Sequence, residues 1–285
     1  MIPRPLWICC VAEIVGTFLL IFFGLGAVQT AVLHGDLAGL WQVGIVWGVA
    51  IMLAIYTIGP ISGAHINPAI TIGLSTWGLF PARRVAPYVG SQLVGAIAAA
   101  ALLFAINASY FGATEAERGI VRGEPASIVT AMCFGEYYPN PGKLGGAAVT
   151  DADLAVWEAG FSQPMAWLAE AVGTAILAMV VLATTEKENL GGPKNLAPVF
   201  IGLCVAVLIC VIAPLTQACF NPARDFGPRL FAYFAGWGSA AIPGPNGIGM
   251  VTVYIVAPIV GSIVGCGLYQ KLVRPYVIEP TPTAD

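Results

Sequence analysis

The sequence predicts an all-α membrane protein with six transmembrane helices plus two half-helices, arranged as two inverted three-helix repeats. Three observations predict it. Of the 285 residues, 58% are apolar and only 9% are charged. Soluble domains carry roughly 25% charged residues, so these few cannot cover a water-facing surface of this size. Six apolar runs, at about 7–33, 41–59, 84–107, 164–184, 195–214 and 248–272, approach or exceed the ~20 residues that cross a bilayer. Finally, two motifs recur in the same order along the chain.

The first run opens after Arg4 and could be read as a secretory signal. It continues well beyond a signal's apolar stretch and carries Glu13 inside it, so it is read as a retained helix. The repeat begins there. Ala12-Glu13-Ile14-Val15-Gly16-Thr17 returns as Ala169-Glu170-Ala171-Val172-Gly173-Thr174, 157 positions later, and Asn67-Pro68-Ala69 returns as Asn221-Pro222-Ala223, 154 positions later. Each half therefore holds three spanning runs and one short apolar piece. Three is odd, so the second half must enter the membrane from the opposite side. Repeat one covers about 7–107, the linker about 108–163 and repeat two about 164–273. Together residues 1–273 read as a single channel domain. The linker is rich in Gly, Pro and charge and is expected to be structured only in part. Residues 274–285 read as a disordered cytoplasmic tail.

The basic residues orient the chain. Arg4, Arg83, Arg84, Lys187, Lys194, Lys271 and Arg274 fall on one side, and Arg118, Arg122 and Lys143 lie in the linker. The positive-inside rule then puts both termini in the cytoplasm. A net charge of −3 gives no basic footprint for nucleic acid. The seven cysteines show neither a pairing framework nor metal-ligand spacing. They read as small packing residues, and no metal or cofactor is expected.

The short pieces after Asn67 and Asn221 are each about ten to twelve residues long. Asn is a favoured N-cap and Pro a favoured first helical residue, so Asn-Pro-Ala reads as a helix start. One copy would suit an ordinary loop helix equally well. Two copies at equivalent places in inverted halves imply half-helices that dip in from opposite faces and meet N-terminus to N-terminus. Such elements are tolerated at membrane depth only where they are buried in protein or line a cavity. Helix N-termini carry partial positive charge and free N–H groups, so the meeting point repels cations and hydronium. The asparagine amides are donors for a neutral oxygen. The carbonyls of Gly63, Ala64 and His65 in one half and of Ala218, Cys219 and Phe220 in the other supply acceptors. One polar track along an apolar tube suits a neutral, hydrogen-bonding solute.

Glu13 and Glu170 admit two readings. An intramembrane carboxylate can couple transport to an ion, or each can accept N–H groups from a half-helix loop. Their equivalent positions favour the second. His65 is read as mainly structural, with its carbonyl toward the pore, and His34 as a loop residue. Arg224 stands three residues into the second half-helix. An ion pair with Asp225 is the plain alternative, but neighbouring helical residues do not face each other. Arg224 is therefore free to line the pore, donate to solute and repel cations.

These residues resemble the aquaporin (major intrinsic protein) family, and within it the glycerol facilitators. Ser62-Gly63-Ala64-His65-Ile66-Asn67-Pro68-Ala69 and Asn221-Pro222-Ala223-Arg224 are similar to its two pore loops, and the resemblance covers roughly 7–273. Tyr138 in the linker, Asp225 and Arg229 after the pore arginine, and Pro258-Ile259 in the last run resemble the glycerol branch. Ungapped matching places the four positions of the family's selectivity filter at Trp47, Ile209, Ala218 and Arg224. Trp47 and Arg224 match the glycerol pattern. Ile209 stands where that branch usually has a small residue and Ala218 where it has an aromatic, a combination closer to plant nodulin-like intrinsic proteins. The resemblance implies a passive channel for small uncharged solutes, glycerol and water first, that excludes ions and protons. Water, urea or neutral metalloid hydroxides are the alternative preference, and an ion-coupled carrier the second alternative. It also implies a homotetramer in a cell membrane, with Gly16, Gly24, Gly173 and Gly265 allowing close helix packing. The chain carries no His-Glu-x-x-His, Gly-x-Ser-x-Gly or phosphate-loop motif that would point to an enzyme.

Overall fold

The computed structural model describes residues 4–37, 39–144 and 150–278, and the described residues contain helices and no strand. Six helices are long and apolar enough to cross a membrane: Leu6–His34, Leu40–Ser62, Ala82–Glu117, Gln163–Thr185, Lys194–Thr216 and Gly249–Val277. Their regular cores are α1 (Leu6–Gln29), α2 (Leu40–Ser62) and, after half-helix α3 (Pro68–Thr76), α4 (Val85–Glu117). The linker holds short helices α5 (Ile128–Ala131) and α6 (Asp151–Ala159). The second half contains α7 (Gln163–Thr185), α8 (Ala197–Thr216) and half-helix α9 (Pro222–Ala232). Its last span is built from α10 (Gly249–Val251), α11 (Ala257–Leu268) and α12 (Arg274–Val277), joined by π-helical turns.

The packing follows the repeat. α1 lies on α2 and α4, as α7 lies on α8 and α11. Each half-helix packs against the third span of the other half, α3 on α11 and α9 on α4, so the repeats interlock. α2 crosses α8 where Gly48 meets Gly202; a Cβ on Gly48 would stand 2.6 Å from the Gly202 carbonyl oxygen. Only glycine lets the two backbones approach this closely.

Two sequence expectations shift. The third span does not stop near residue 107 but runs to Glu117, ten residues into the segment read as linker. Hydropathy falls after Asn107, but the last turns are held by packing: Phe111 is fully buried and its ring lies 5.4 Å from that of Trp237. The four glycines expected to allow close helix packing sit at close approaches within the chain. Gly16 abuts Ile58, Gly24 the Trp47 ring, Gly173 the Phe220 ring and Gly265 the Ala175 carbonyl, all within one chain. Of the expected tail, residues 274–277 form α12, and Arg274 Nε donates to Glu186 Oε2 at 2.6 Å. Residues 279–285 lie outside the described residues.

Candidate functional site

Both half-helices start on an asparagine cap. Asn67 Oδ1 accepts the N–H groups of Ala69 at 2.8 Å and Ile70 at 3.4 Å, and Asn221 Oδ1 accepts those of Ala223 at 3.0 Å and Arg224 at 3.4 Å. Asn67 Nδ2 then donates to the Phe220 carbonyl at 2.8 Å, and Asn221 Nδ2 to the Ile66 carbonyl, also at 2.8 Å. The two N-termini therefore meet and are stitched together. Each primary amide has two N–H groups, so each asparagine keeps one beyond this stitch.

The loops before the caps are forced into left-handed backbone. In the first half φ is +91° at Gly63, +50° at Ala64 and +44° at Ile66; in the second it is +65° at Gln217, +64° at Ala218 and +52° at Phe220. Such angles cost roughly 1–3 kcal/mol at each non-glycine residue, so something must hold them. Glu13 and Glu170 are those supports. Glu13 Oε1 accepts from Ser62 Oγ (2.7 Å) and His65 N–H (3.0 Å), and Oε2 from Ile66 N–H (2.7 Å) and Gln92 Nε2 (2.8 Å). Glu170 Oε1 accepts from Thr216 Oγ1 (2.6 Å) and Cys219 N–H (2.9 Å), and Oε2 from Phe220 N–H (2.8 Å). Both carboxylates are fully buried, with their oxygens committed to loop donors.

A cavity of about 670 Å³ descends from the linker side to the stitched asparagines. Trp47, Ile209, Ala218 and Arg224 all border it, as do Cys219, Phe220, Asn67 and Asn221. The Arg224 guanidinium lies 4.6 Å from the centre of the Trp47 ring, a cation–π contact that fixes both. Its Nη1 is buried with no hydrogen-bond partner among the described residues, leaving a donor for whatever occupies the cavity. The wall is thus apolar on the Trp47 and Ile209 side and donor-bearing on the Arg224 side.

Sequence reasoning missed the partner of Arg224. Asp225 turns away and pairs with Arg229, whose Nη2 reaches Asp225 Oδ1 at 2.8 Å, the i,i+4 spacing of a helix. Arg224 pairs instead with Glu136 of the linker, a contact buried at both ends. Backbone contacts tie Glu136 in place. Its N–H donates to Asp225 Oδ1 at 2.6 Å, its carbonyl accepts from Arg229 Nη2, and the next N–H, of Tyr137, donates to Gln217 Oε1 at 2.9 Å. A signal was present: Glu136 is the sole charged residue between Pro125 and Gly142.

Other residues named from the sequence lie outside this cavity. Gly63, Ala64 and His65 lie on the far side of the asparagines and do not border this cavity. His65 Nδ1 is 3.1 Å from Thr71 Oγ1, and its ring packs edge-on to Phe80 and beside Tyr88. Tyr138, Asp225, Arg229, Pro258 and Ile259 do not border the cavity either. Tyr138 packs near Tyr254 and its backbone exchanges two hydrogen bonds with the Asn246 side chain. Pro258 is buried in α11. Arg229 clamps the linker by donating to the Ala241 carbonyl at 2.8 Å as well as to Glu136.

Comparison with known proteins covers most of the chain. The family model described as "Major intrinsic protein" matches residues 4–269. The "Glycerol uptake facilitator protein" of Escherichia coli (strain K12) is 42% identical over 265 residues, which cover 93% of this chain and 87% of that protein. The "Propanediol uptake facilitator PduF" of Citrobacter freundii is 42% identical over 265 residues, 93% of this chain and 91% of that protein. The X-ray structure of the aquaglyceroporin from Plasmodium falciparum superposes with a TM-score of 0.77 at 25% identity, over 96% of this chain and 99% of that one.

Proposed function

The chain belongs to the major intrinsic protein family, and from that premise we propose that it conducts glycerol and water through the filter Trp47–Ile209–Ala218–Arg224. It is a multi-pass integral membrane protein and a passive channel for small uncharged solutes, not an enzyme. The observation that carries the reading is the cavity wall itself. A polyol presents a carbon edge to Trp47 and Ile209 and a hydroxyl edge to Arg224 Nη1, then passes to the amides of Asn67 and Asn221. A hydrated ion fits neither wall, and a cation also meets two helix N-termini pointing at it. An ion-coupled carrier needs a carboxylate free to titrate, but Glu13 and Glu170 are occupied by loop donors.

Propane-1,2-diol is a second candidate solute. A relative is called a propanediol uptake facilitator, and in this isomer the methyl group would meet the apolar surface of Ile209 where the usual glycerol pattern has a small residue. We also assign a homotetramer with one path per subunit, in the cell membrane, with the termini side cytoplasmic and the linker side outside. Exposed apolar side chains along the spans, such as Val11, Leu102, Val207 and Val211, suit contact with lipid and with neighbouring copies.

The test is volume recovery of proteoliposomes under an inward glycerol gradient, with sucrose as control. Fast shrinkage followed by protein-dependent reswelling is expected. Fast shrinkage without reswelling would leave a water pore. Running propane-1,2-diol and urea in parallel ranks the solutes. Replacing Glu13 with Gln and finding flux newly independent of a proton gradient would overturn passive conduction.

A further inference from the structure

The charges facing the path on the linker side are lopsided. Arg224 and Arg118 are in the wall, and the N-terminal ends of α3 and α9, each carrying partial positive charge, converge at Asn67 and Asn221. Cations are repelled by such an array, but small anions are attracted by it, and positive rings are how anion pores select. Asp225 does not offset the array, because Arg229 neutralises it. Glu170 is engaged by the N–H groups of Cys219 and Phe220. One negative charge remains to set against Arg224, that of Glu136, packed against its guanidinium with its side chain fully buried. Glu136 does not border the cavity, so it acts on a solute only through Arg224. Its position is set by the backbone contacts to Asp225, Arg229 and Gln217.

Building on the filter reading above, we infer that Glu136 is the positioning residue that makes this pore reject anions. Its carboxylate cancels the charge of Arg224, so the filter presents N–H donors without presenting a net positive site. Small anions of glycerol's size or less, such as formate, nitrate and chloride, then find no electrostatic well at the filter, whatever Arg118 does in the wider cavity, while neutral hydroxyls still find donors.

Titration gives an independent handle. The groups that face Glu136 are Arg224, Asp225 and Arg229 from α9, Cys219 from the loop before it, Glu170 from α7, Tyr137 beside it in the linker and Tyr254 in the last span. Burial pushes the Glu136 carboxyl up to about 8, although the neighbouring Arg224 pulls it down, so the charge that cancels Arg224 is complete on the alkaline side and is lost as pH falls through that value. A protonated carboxyl is neutral and leaves Arg224 uncompensated, so acidification on the linker side raises anion passage.

The experiment uses the full chain in liposomes and planar bilayers at about pH 9 on the linker side, where Glu136 is ionised, reading glycerol swelling, formate uptake and the reversal potential under a potassium chloride gradient. Glu136→Gln should raise anion permeability relative to glycerol at least about tenfold, with a reversal potential near that of chloride. Glu136→Asp should restore the wild-type ratio, and Glu136→Gln with Arg224→Gln should abolish the anion current. A Glu136→Gln protein that passes glycerol but no anions, or that passes cations, overturns the inference. If Glu136→Gln does not fold, the wild-type chain at falling pH decides: rising anion current supports the inference and a flat profile overturns it. If the filter itself is misplaced, Arg224→Gln will leave the glycerol-to-water ratio unchanged. If only the charge inference fails, that ratio will move while no variant opens an anion path.

Discussion

The two pore loops share one framework, laid out 154 residues apart, and differ in what that framework carries. Gly63, Ala64 and Ile66 and their counterparts Gln217, Ala218 and Phe220 take the same left-handed backbone. Ser62 and Thr216, His65 and Cys219, Ile66 and Phe220 donate to Glu13 and Glu170 in the same order. The side chains that border the cavity break the symmetry. At the repeat spacing, Arg224 answers to Ile70, Trp47 to Ile201 and Ile209 to Ile55. The first half answers the charged cluster of Arg224, Glu136, Asp225 and Arg229 with an aromatic one, His65, Phe80 and Tyr88. Duplication builds the framework, and departures from the duplication shape the cavity wall.

Equal framework roles make the largest prediction. Glu13→Ala and Glu170→Ala each strand two buried N–H groups, at about 1–3 kcal/mol apiece, and release strained backbone. Both should cut glycerol flux at least about tenfold and lower the melting temperature in detergent. Damage from one and not the other would break the comparison. Unequal chemistry makes the next prediction. Arg224→Lys substitutes a point charge for a fork that pairs with Glu136 while keeping a donor free, so the glycerol-to-water ratio should fall several-fold in stopped-flow light scattering. Ile70→Val, at the matching place in the other half, should leave that ratio within about twofold. Exchanging bulk between filter walls comes third: Ile209→Gly with Ala218→Phe should raise the glycerol-to-water ratio severalfold, and an unchanged ratio would mean the filter lies elsewhere. The smallest effect sharpens the symmetry. Asn67→Ala and Asn221→Ala remove matched caps and matched cross-bonds, so thermal melts should show equal losses, about 1–2 kcal/mol for each cap.

What could be read from the sequence follows from this split. Six spans, two half-helices and their inversion were legible because bilayer crossing imposes length and apolarity, and duplication writes its own register. The reading of Asp225 as a poor partner for Arg224 rested on helix geometry, and in the structure Asp225 takes Arg229 one turn on. Glu136 was not legible in the same way. It lies in the unduplicated linker, 88 residues from Arg224, and no local period joins them. The end of α4 was misjudged because hydropathy reports the membrane and not the protein packing that holds Phe111 against Phe134 and Trp237. The inward-facing glycines show the same limit: a small residue announces a close approach but not the identity of its neighbour.

The stitch between the asparagines has a consequence for how the chain is made. Glu13 can shape the first loop as soon as the first three spans exist, but Asn67 Nδ2 and the Ile66 carbonyl wait for Phe220 and Asn221. During synthesis α3 is therefore a re-entrant segment with no partner for its tip, and α11, on which it packs, emerges later still. The nascent first half is an unfinished protein, not a smaller version of the whole. Cutting the chain within the linker and making both pieces in one membrane should yield a working channel, whereas either piece alone should be cleared by membrane quality control.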